Sequence, residues 1–244
     1  MRFGDLTWQE IEGFIKEEAV VILPLGCTEQ QGPHMAVDWD NRFIGELCLQ
    51  ASEKAEKEYG ILSLVLPTIP VGPASEHFHW PGYLHFSQSL HEQVVAEILA
   101  SLKKQGFKTI IVWSGCGGHD LKKMIEKFNR KHEEVKVYYP QLDLYAVSFQ
   151  MGGRKMVDNG GHADAPSTSW CLYLAPDYIR KDKIQNPNNR PLDWTRTSKD
   201  LSLYTKDGAF GNLTLANKDF GKRSWEQIIK EAAKVIKEIK EEEL

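Results

Sequence analysis

Three observations predict an α/β fold with a largely parallel sheet. Short apolar, β-branched runs alternate along the chain with segments whose apolar positions recur at helical spacing. The clearest strand, FKTIIVW at 107–113, is followed by a helical segment, as are the other strand runs. The strand runs also break into loops rich in Gly, Pro, His and acidic residues, where open α/β sheets carry their sites. No internal repeat or low-complexity linker divides residues 1–244, which predicts one domain.

Thr7 precedes WQEIEGFIKE with Glu10 three positions on, a capping-box helix start. Ala19 to Leu25 reads as a short buried strand. Asp40 then opens NRFIGELCLQASEKAEKEYG, a helix expected to stop at Gly60. ILSLVLPTIPV is β-rich, but Pro67 and Pro70 confine its second half to a loop or sheet edge. After the His- and aromatic-rich loop PASEHFHWPGYLHFS, a helix is predicted from about Ser89 to Gln105, ending at Gly106. FKTIIVW breaks into SGCGGHD, and LKKMIEKFNRKHEE (121–134) resumes helical spacing. VKVYYPQL (135–142) is the next strand, and MGGRKMVDNGG a glycine-rich loop leading to a buried helix. Residues 177–207 are polar and without period, and a last amphipathic helix runs from Ser224 to the end.

Hydrophobic residues at 41% and charged residues at 26% are ordinary for a soluble globular chain of this length. A net charge of −4 argues against nucleic acid as a partner, since phosphate neutralisation needs a basic face. Lys122, Lys123, Lys127, Arg130 and Lys131 interleave with Glu and apolar positions, as on the solvated side of a helix. The N-terminus lacks the apolar stretch of a signal peptide, and no run approaches the roughly 20 apolar residues of a membrane span. Four cysteines without a CxxC pair predict reduced thiols and a cytoplasmic protein.

The strand-end loops hold the residues capable of chemistry. LPLGCTEQQGPHMAVDWD (23–40) packs Glu29, His34, Asp38 and Asp40 together; Glu29 and Asp40 suit a divalent cation, with a histidine as nitrogen ligand. The alternative makes Asp40 a helix cap and Glu29 a solvated acid. Cys116, in SGCGGHD, is open to three readings: a nucleophile activated by a helix start, a thiolate ligand, or a buried filler. Glu76, His77 and Trp80 lie in a loop able to hold a planar polar substrate. His162 and Asp164 form an acid/base pair or supply ligands, unless Asp164 is only an N-cap. No GxSxG elbow supports a serine triad.

Taken in order, these loops resemble the creatininase (creatinine amidohydrolase) family. LPLGCTEQQGPHMAVDWD is similar to the family's P-x-G-S-T-E-Q-H-G-P-H-L-P-x-x-T-D, SEHFHWPGY to S-x-E-H-x-x-F-P-G-T, and SGCGGH to N-G-H-G-G-N. HADAPSTS is similar to H-A-G-E-x-E-T-S, and GAFGNLTLANKDFG to G-x-x-G-x-x-x-x-A-x-x-x-x-G. The resemblance implies a single-domain three-layer α/β/α sandwich, a homo-oligomer, commonly a hexamer, and metal-dependent hydrolysis of a small amide. It places Glu29 and Asp40 on metal-ligand carboxylates, but Gln31 and Cys116 on ligand histidines and Ala165 and Ser167 on glutamates.

The resemblance with these replacements implies a divergent centre for one divalent metal, zinc first because a thiolate replaces an imidazole, with manganese or iron as alternatives. Its expected ligands are Glu29, Asp40, Cys116 and His119, with His162 and Asp164 catalytic and Glu76, His77 and Trp80 binding substrate. The expected reaction is cleavage of a C–N bond in a small cyclic amide or formamide by metal-activated water. Two alternatives stand beside it: a family member without catalysis that binds a ligand or partner, and a metal-free thiol hydrolase using Cys116.

Overall fold

Four short parallel strands in the order β2-β1-β3-β4 form the centre of the molecule: β1 Val20–Leu25, β2 Ser63–Val65, β3 Thr109–Ser114 and β4 Lys136–Tyr138. The computed structural model describes residues 1–187, 189–190 and 200–242. β1 pairs Val21 with Ile110 and Leu25 with Ser114, so β1 and β3 end at the same edge of the sheet. All six residues of β1 are buried, as expected of a parallel strand covered on both faces.

Strand alternation divides the core in two. Val20, Ile22, Ile111 and Trp113 face one layer, built from α2 (Trp39–Tyr59), α7 (Ala165–Leu174) and α8 (Lys218–Glu241). Val21, Leu23, Ile110 and Val112 face the other, which includes α3 (Gln88–Gln105) and α4 (Lys122–Lys131). The result is the three-layer α/β/α arrangement, with α1 (Trp8–Lys16) packed at the second layer through Ile11, Phe14 and Ile15. Three buried indole N–H groups are satisfied: Trp39 donates to Ser167, Trp170 to Ser224 and Trp225 to Gln50, at 2.8–2.9 Å. Among the described residues, no helix is long and apolar enough to cross a membrane.

Several boundaries depart from the sequence reading, each for a local reason. The capping box at Thr7 is present, but α2 begins at Trp39 with Asp38 in the N-cap position. Asp40 therefore lies inside the first turn and is not the cap. α3 begins at Gln88 because the Ser87 side chain accepts from the Leu90 amide. α4 stops at Lys131, short of Glu134, and its five basic residues are largely exposed while Ile125 and Phe128 are buried.

The largest difference lies between residues 144 and 157. There, much of the expected glycine-rich loop is helix: α5 (Leu144–Gly152) is capped by Asp143 and followed by the short α6 (Arg154–Val157). Gly153, at φ 71°, makes the turn between them. α8 starts six residues before Ser224 because the Asn217 side chain accepts from the Phe220 amide. Part of the expected aperiodic stretch 177–207, and residues 243–244 of the C-terminal helix expected from sequence, lie outside the described residues, while α8 ends at Glu241.

Candidate metal centre

The strand order makes a crevice. From β1 the chain crosses to β2 on one side, while β3 lies on the other, so the loops leaving β1 and β3 diverge at a topological switch point. A cavity of about 1050 Å³ opens there, lined by Glu29, Asp40, Glu76, His77, Cys116 and His162 among others.

Glu29 sits in the middle of this set and is only 2% exposed. His77 Nε2 lies 3.2 Å and His162 Nδ1 3.8 Å from its Oε1. Burial alone would raise the Glu29 pKa, but the two imidazoles outweigh it and hold the carboxylate below its usual range. Neighbouring hydrogen bonds fix the rings. Gln30 donates its side-chain N–H to His77 Nδ1 and to the Gly208 carbonyl, while its Oε1 accepts from the Gly32 amide. His77 therefore carries its proton on Nε2, facing Glu29. His162 Nε2 lies 2.7 Å from the Gln30 carbonyl and must donate to it, which leaves a lone pair on Nδ1 toward Glu29. Burial, then the neighbouring His77, lowers the His162 pKa to about 4, so the ring is neutral near pH 7.

Donor atoms of Glu29, Asp40 and Cys116 lie within 4.8 Å of one another, as do those of Glu29, His77 and His162. Burial and the nearby Glu29 push the Asp40 carboxyl well above its usual range, and Gln31 donates to its Oδ2 at 2.9 Å. The buried Glu29 and half-buried Asp40 carboxyl groups thus face one cavity that no described Lys or Arg lines. A divalent cation is the species that would relieve the repulsion between them, so the donor set fits a metal.

The other expected site residues fall in different places. His119 does not join Glu29 and Asp40; it groups with Cys27 and Cys116. Asp164 lines the cavity but acts structurally as the N-cap of α7: it accepts from the Ser167 and Gly161 amides and, at 2.5 Å, from the Tyr145 hydroxyl. Between His162 and Asp164, Ala163 takes φ 48°, uncommon for a side-chain-bearing residue, and turns the chain between the site and the helix. Glu76 is half-buried in the cavity wall, its pKa raised by burial. Trp80 lies outside the lining residues and donates its indole N–H to the Lys206 carbonyl.

These loops belong to a known family. The profile described as Creatininase, creatinine amidohydrolase, matches residues 4–236. The chain belongs to the creatininase family. Among its relatives, a mycofactocin precursor peptide peptidase of Mycolicibacterium smegmatis is 24% identical over 89% of this chain and 84% of its own. A 3-dehydro-scyllo-inosose hydrolase of Thermotoga maritima is 23% identical over 98% and 83%. A crystal structure of creatinine amidohydrolase superposes with a TM-score of 0.81 at 20% identity, covering 96% of both chains. A manganese creatininase superposes at 0.80, with 22% identity over 97% of both. At these identities the superpositions establish a shared creatininase fold.

Sequence reasoning assigned His77 to substrate and passed over Cys27, Gln30 and Tyr145. His77 had a signal in its SEH context, but only the fold brings that loop over Glu29. Tyr145 had none, because residues 143–150 fall between the expected strand at 135–142 and the expected glycine-rich loop and carry no element of their own in the sequence reading.

Proposed function

We propose that this creatininase-family chain is a metal-dependent amidohydrolase that cleaves a C–N bond in a small cyclic amide or formamide. The observation that carries the reading is the meeting of Glu29, Asp40 and Cys116, within 4.8 Å of one another, at an open cavity. Creatininase structures with manganese and of a Zn-Zn type support a divalent ion of that class. Such an ion, when bound, polarises a carbonyl and acidifies water. Glu29, Asp40 and Cys116 would hold it.

The chain's own groups do the rest. Neutral His162 presents the Nδ1 lone pair, takes a proton from water and returns it to the leaving nitrogen. His77 keeps Glu29 ionised and in place. Glu76, on the cavity wall, accepts a hydrogen bond from a substrate N–H. Asp164 orders the turn that aims His162 by holding the Gly161 amide.

Two further observations favour this over the alternatives. Contact with Cys27, then burial and Glu29, pushes the Cys116 thiol well above its usual pKa, which disfavours a metal-free thiol nucleophile. The cavity is not filled by side chains, as a purely structural member would allow. The test is metal content and amide hydrolysis of the wild type and Glu29→Gln. The wild type should carry zinc, manganese or iron and hydrolyse at least one member of a small cyclic amide and formamide panel. Glu29→Gln should lose activity and most metal at this centre. Undiminished turnover in Glu29→Gln would refute the proposal.

A further inference from the structure

Beside the carboxylate centre lies a second donor set. Cys27 Sγ, Cys116 Sγ and a ring nitrogen of His119 all lie within 4.8 Å of one another. Cys27 lies two residues beyond β1 and is fully buried, while Cys116 and His119 belong to the loop after β3. The two strand ends therefore place two thiols and one imidazole together.

Hydrogen bonding decides which His119 nitrogen is available. The Ser114 hydroxyl has one proton and donates it to the Cys116 carbonyl at 2.8 Å. Its contact with His119 Nδ1, at 2.9 Å, must then use the imidazole's proton, so Nδ1 donates. Nε2 is left as a lone pair with no partner among the described residues, in a residue only 7% exposed. Metal-ligating histidines show this arrangement, the second nitrogen anchored by a hydrogen bond and the ligand nitrogen bare. The loop is held further by the Tyr139 hydroxyl, which donates to the His119 carbonyl at 2.9 Å.

Space has been left for the bare nitrogen. Gly72 passes so close that a Cβ there would lie 2.1 Å from Nε2. The next residue, Pro73, faces Cys27, whose Sγ lies 3.8 Å from the Pro73 carbonyl. His91 packs with its ring centroid 4.6 Å from that of His119, fully buried and with no partner on either nitrogen among the described residues. The neighbourhood is rich in soft and borderline donors.

We infer that Cys27, Cys116 and His119 form a second, thiolate-rich metal site taking a zinc-class ion, with Cys116 facing both it and the carboxylate centre. Two thiolates and an imidazole are a soft donor set, suited to zinc rather than to a hard oxygen-preferring cation. Zinc–sulfur and zinc–nitrogen bonds would bring tetrahedral ligand atoms to about 3.5–3.8 Å from one another. The observed limit of 4.8 Å requires the donors to close by no more than about 1 Å. Water supplies the fourth position.

The probe is cobalt(II), a spectroscopic substitute for zinc, titrated into the metal-stripped full chain. A sulfur-to-cobalt charge-transfer band is expected in the near ultraviolet, displaced on adding zinc. Cys27→Ala should cut the band to about half or less, and His119→Gln should weaken cobalt binding about tenfold or more. Glu29→Gln removes any Cys116 contribution from the carboxylate centre but should leave the Cys27-dependent part of the band in place, separating this site from the proposed catalytic centre. A wild type without the band, or one unchanged in both Cys27→Ala and His119→Gln, would overturn the inference. Should Cys27→Ala fail to fold, the affinity of His119→Gln decides alone.

Discussion

Two glycine-to-alanine substitutions should move stability in opposite directions. Gly221 lies in the first turns of α8 against α7, and a Cβ there would sit 2.0 Å from the Ser169 carbonyl oxygen and 2.6 Å from its carbon. Both atoms are backbone, so no rotamer can relieve the clash. α8 must withdraw by about 1 Å, a gap that forfeits a quarter to a half of the dispersion wells it spans. The interface that opens holds Trp225, Ile228, Ile229 and Ala232, all buried. Overpacking of this kind costs about 1–3 kcal/mol or more, against about 1 kcal/mol regained from helix propensity. Because the clash is with backbone the upper part of that range applies, and a net loss of about 1–2 kcal/mol corresponds to a Tm lower by roughly 2–8 °C for a chain of this size. Gly13, in exposed α1, has no atom within 4 Å of its Cβ position. Gly13→Ala should therefore gain about 0.5–1 kcal/mol. Urea melts at unchanged m-value and thermal melts read both changes. A Gly221→Ala protein that melts no lower than the wild type would refute the close-packing argument.

Three more outcomes are expected. His34 is fully buried, with Nε2 2.8 Å from Thr168 Oγ1, and burial lowers its pKa to about 4. The unfolded chain, with a pKa near 6.5, binds the proton first, so stability is intact above that value and falls as pH drops toward 4. That interval is worth about 3 kcal/mol at pH 4; His34→Gln should lose that much less than the wild type between pH 7 and pH 4, and equal losses would contradict the assignment. Thr7→Ala removes the capping-box acceptor of the Glu10 amide and should cost about 1 kcal/mol in a chemical melt, with no measurable change counting against the cap. Gln31→His replaces an amide that donates to Asp40 with an imidazole, and should raise divalent-metal affinity about tenfold or more by calorimetry. Unchanged affinity would place position 31 away from the ion.

The order and type of most elements were legible because their signals are local. Thr7 with Glu10, Gly60 after α2 and Gly106 after α3 mark helix ends through groups a few residues apart. The strand β3 announces itself by an uninterrupted apolar, β-branched run. α5 escaped notice because its cap, Asp143, follows a strand-like segment and its glycines come at the very end. The motif spacing also carried the family and, with it, Glu29, Asp40 and Cys116 as candidate ligands.

The sequence by itself determined the α/β alternation, the loops that hold chemistry and the carboxylates among them. Only the tertiary structure decided which loops meet. Parallel pairing of β1 with β3 sets Cys27 beside Cys116 and His119, residues about 90 positions apart, and the folded-over loop sets His77 on Glu29. It also decided protonation, because a lone pair on His162 Nδ1 or His119 Nε2 depends on the Gln30 carbonyl and the Ser114 hydroxyl that each ring happens to face. Periodicity and capping act within a few residues, whereas donor sets and tautomers depend on atoms that only packing brings within hydrogen-bond distance.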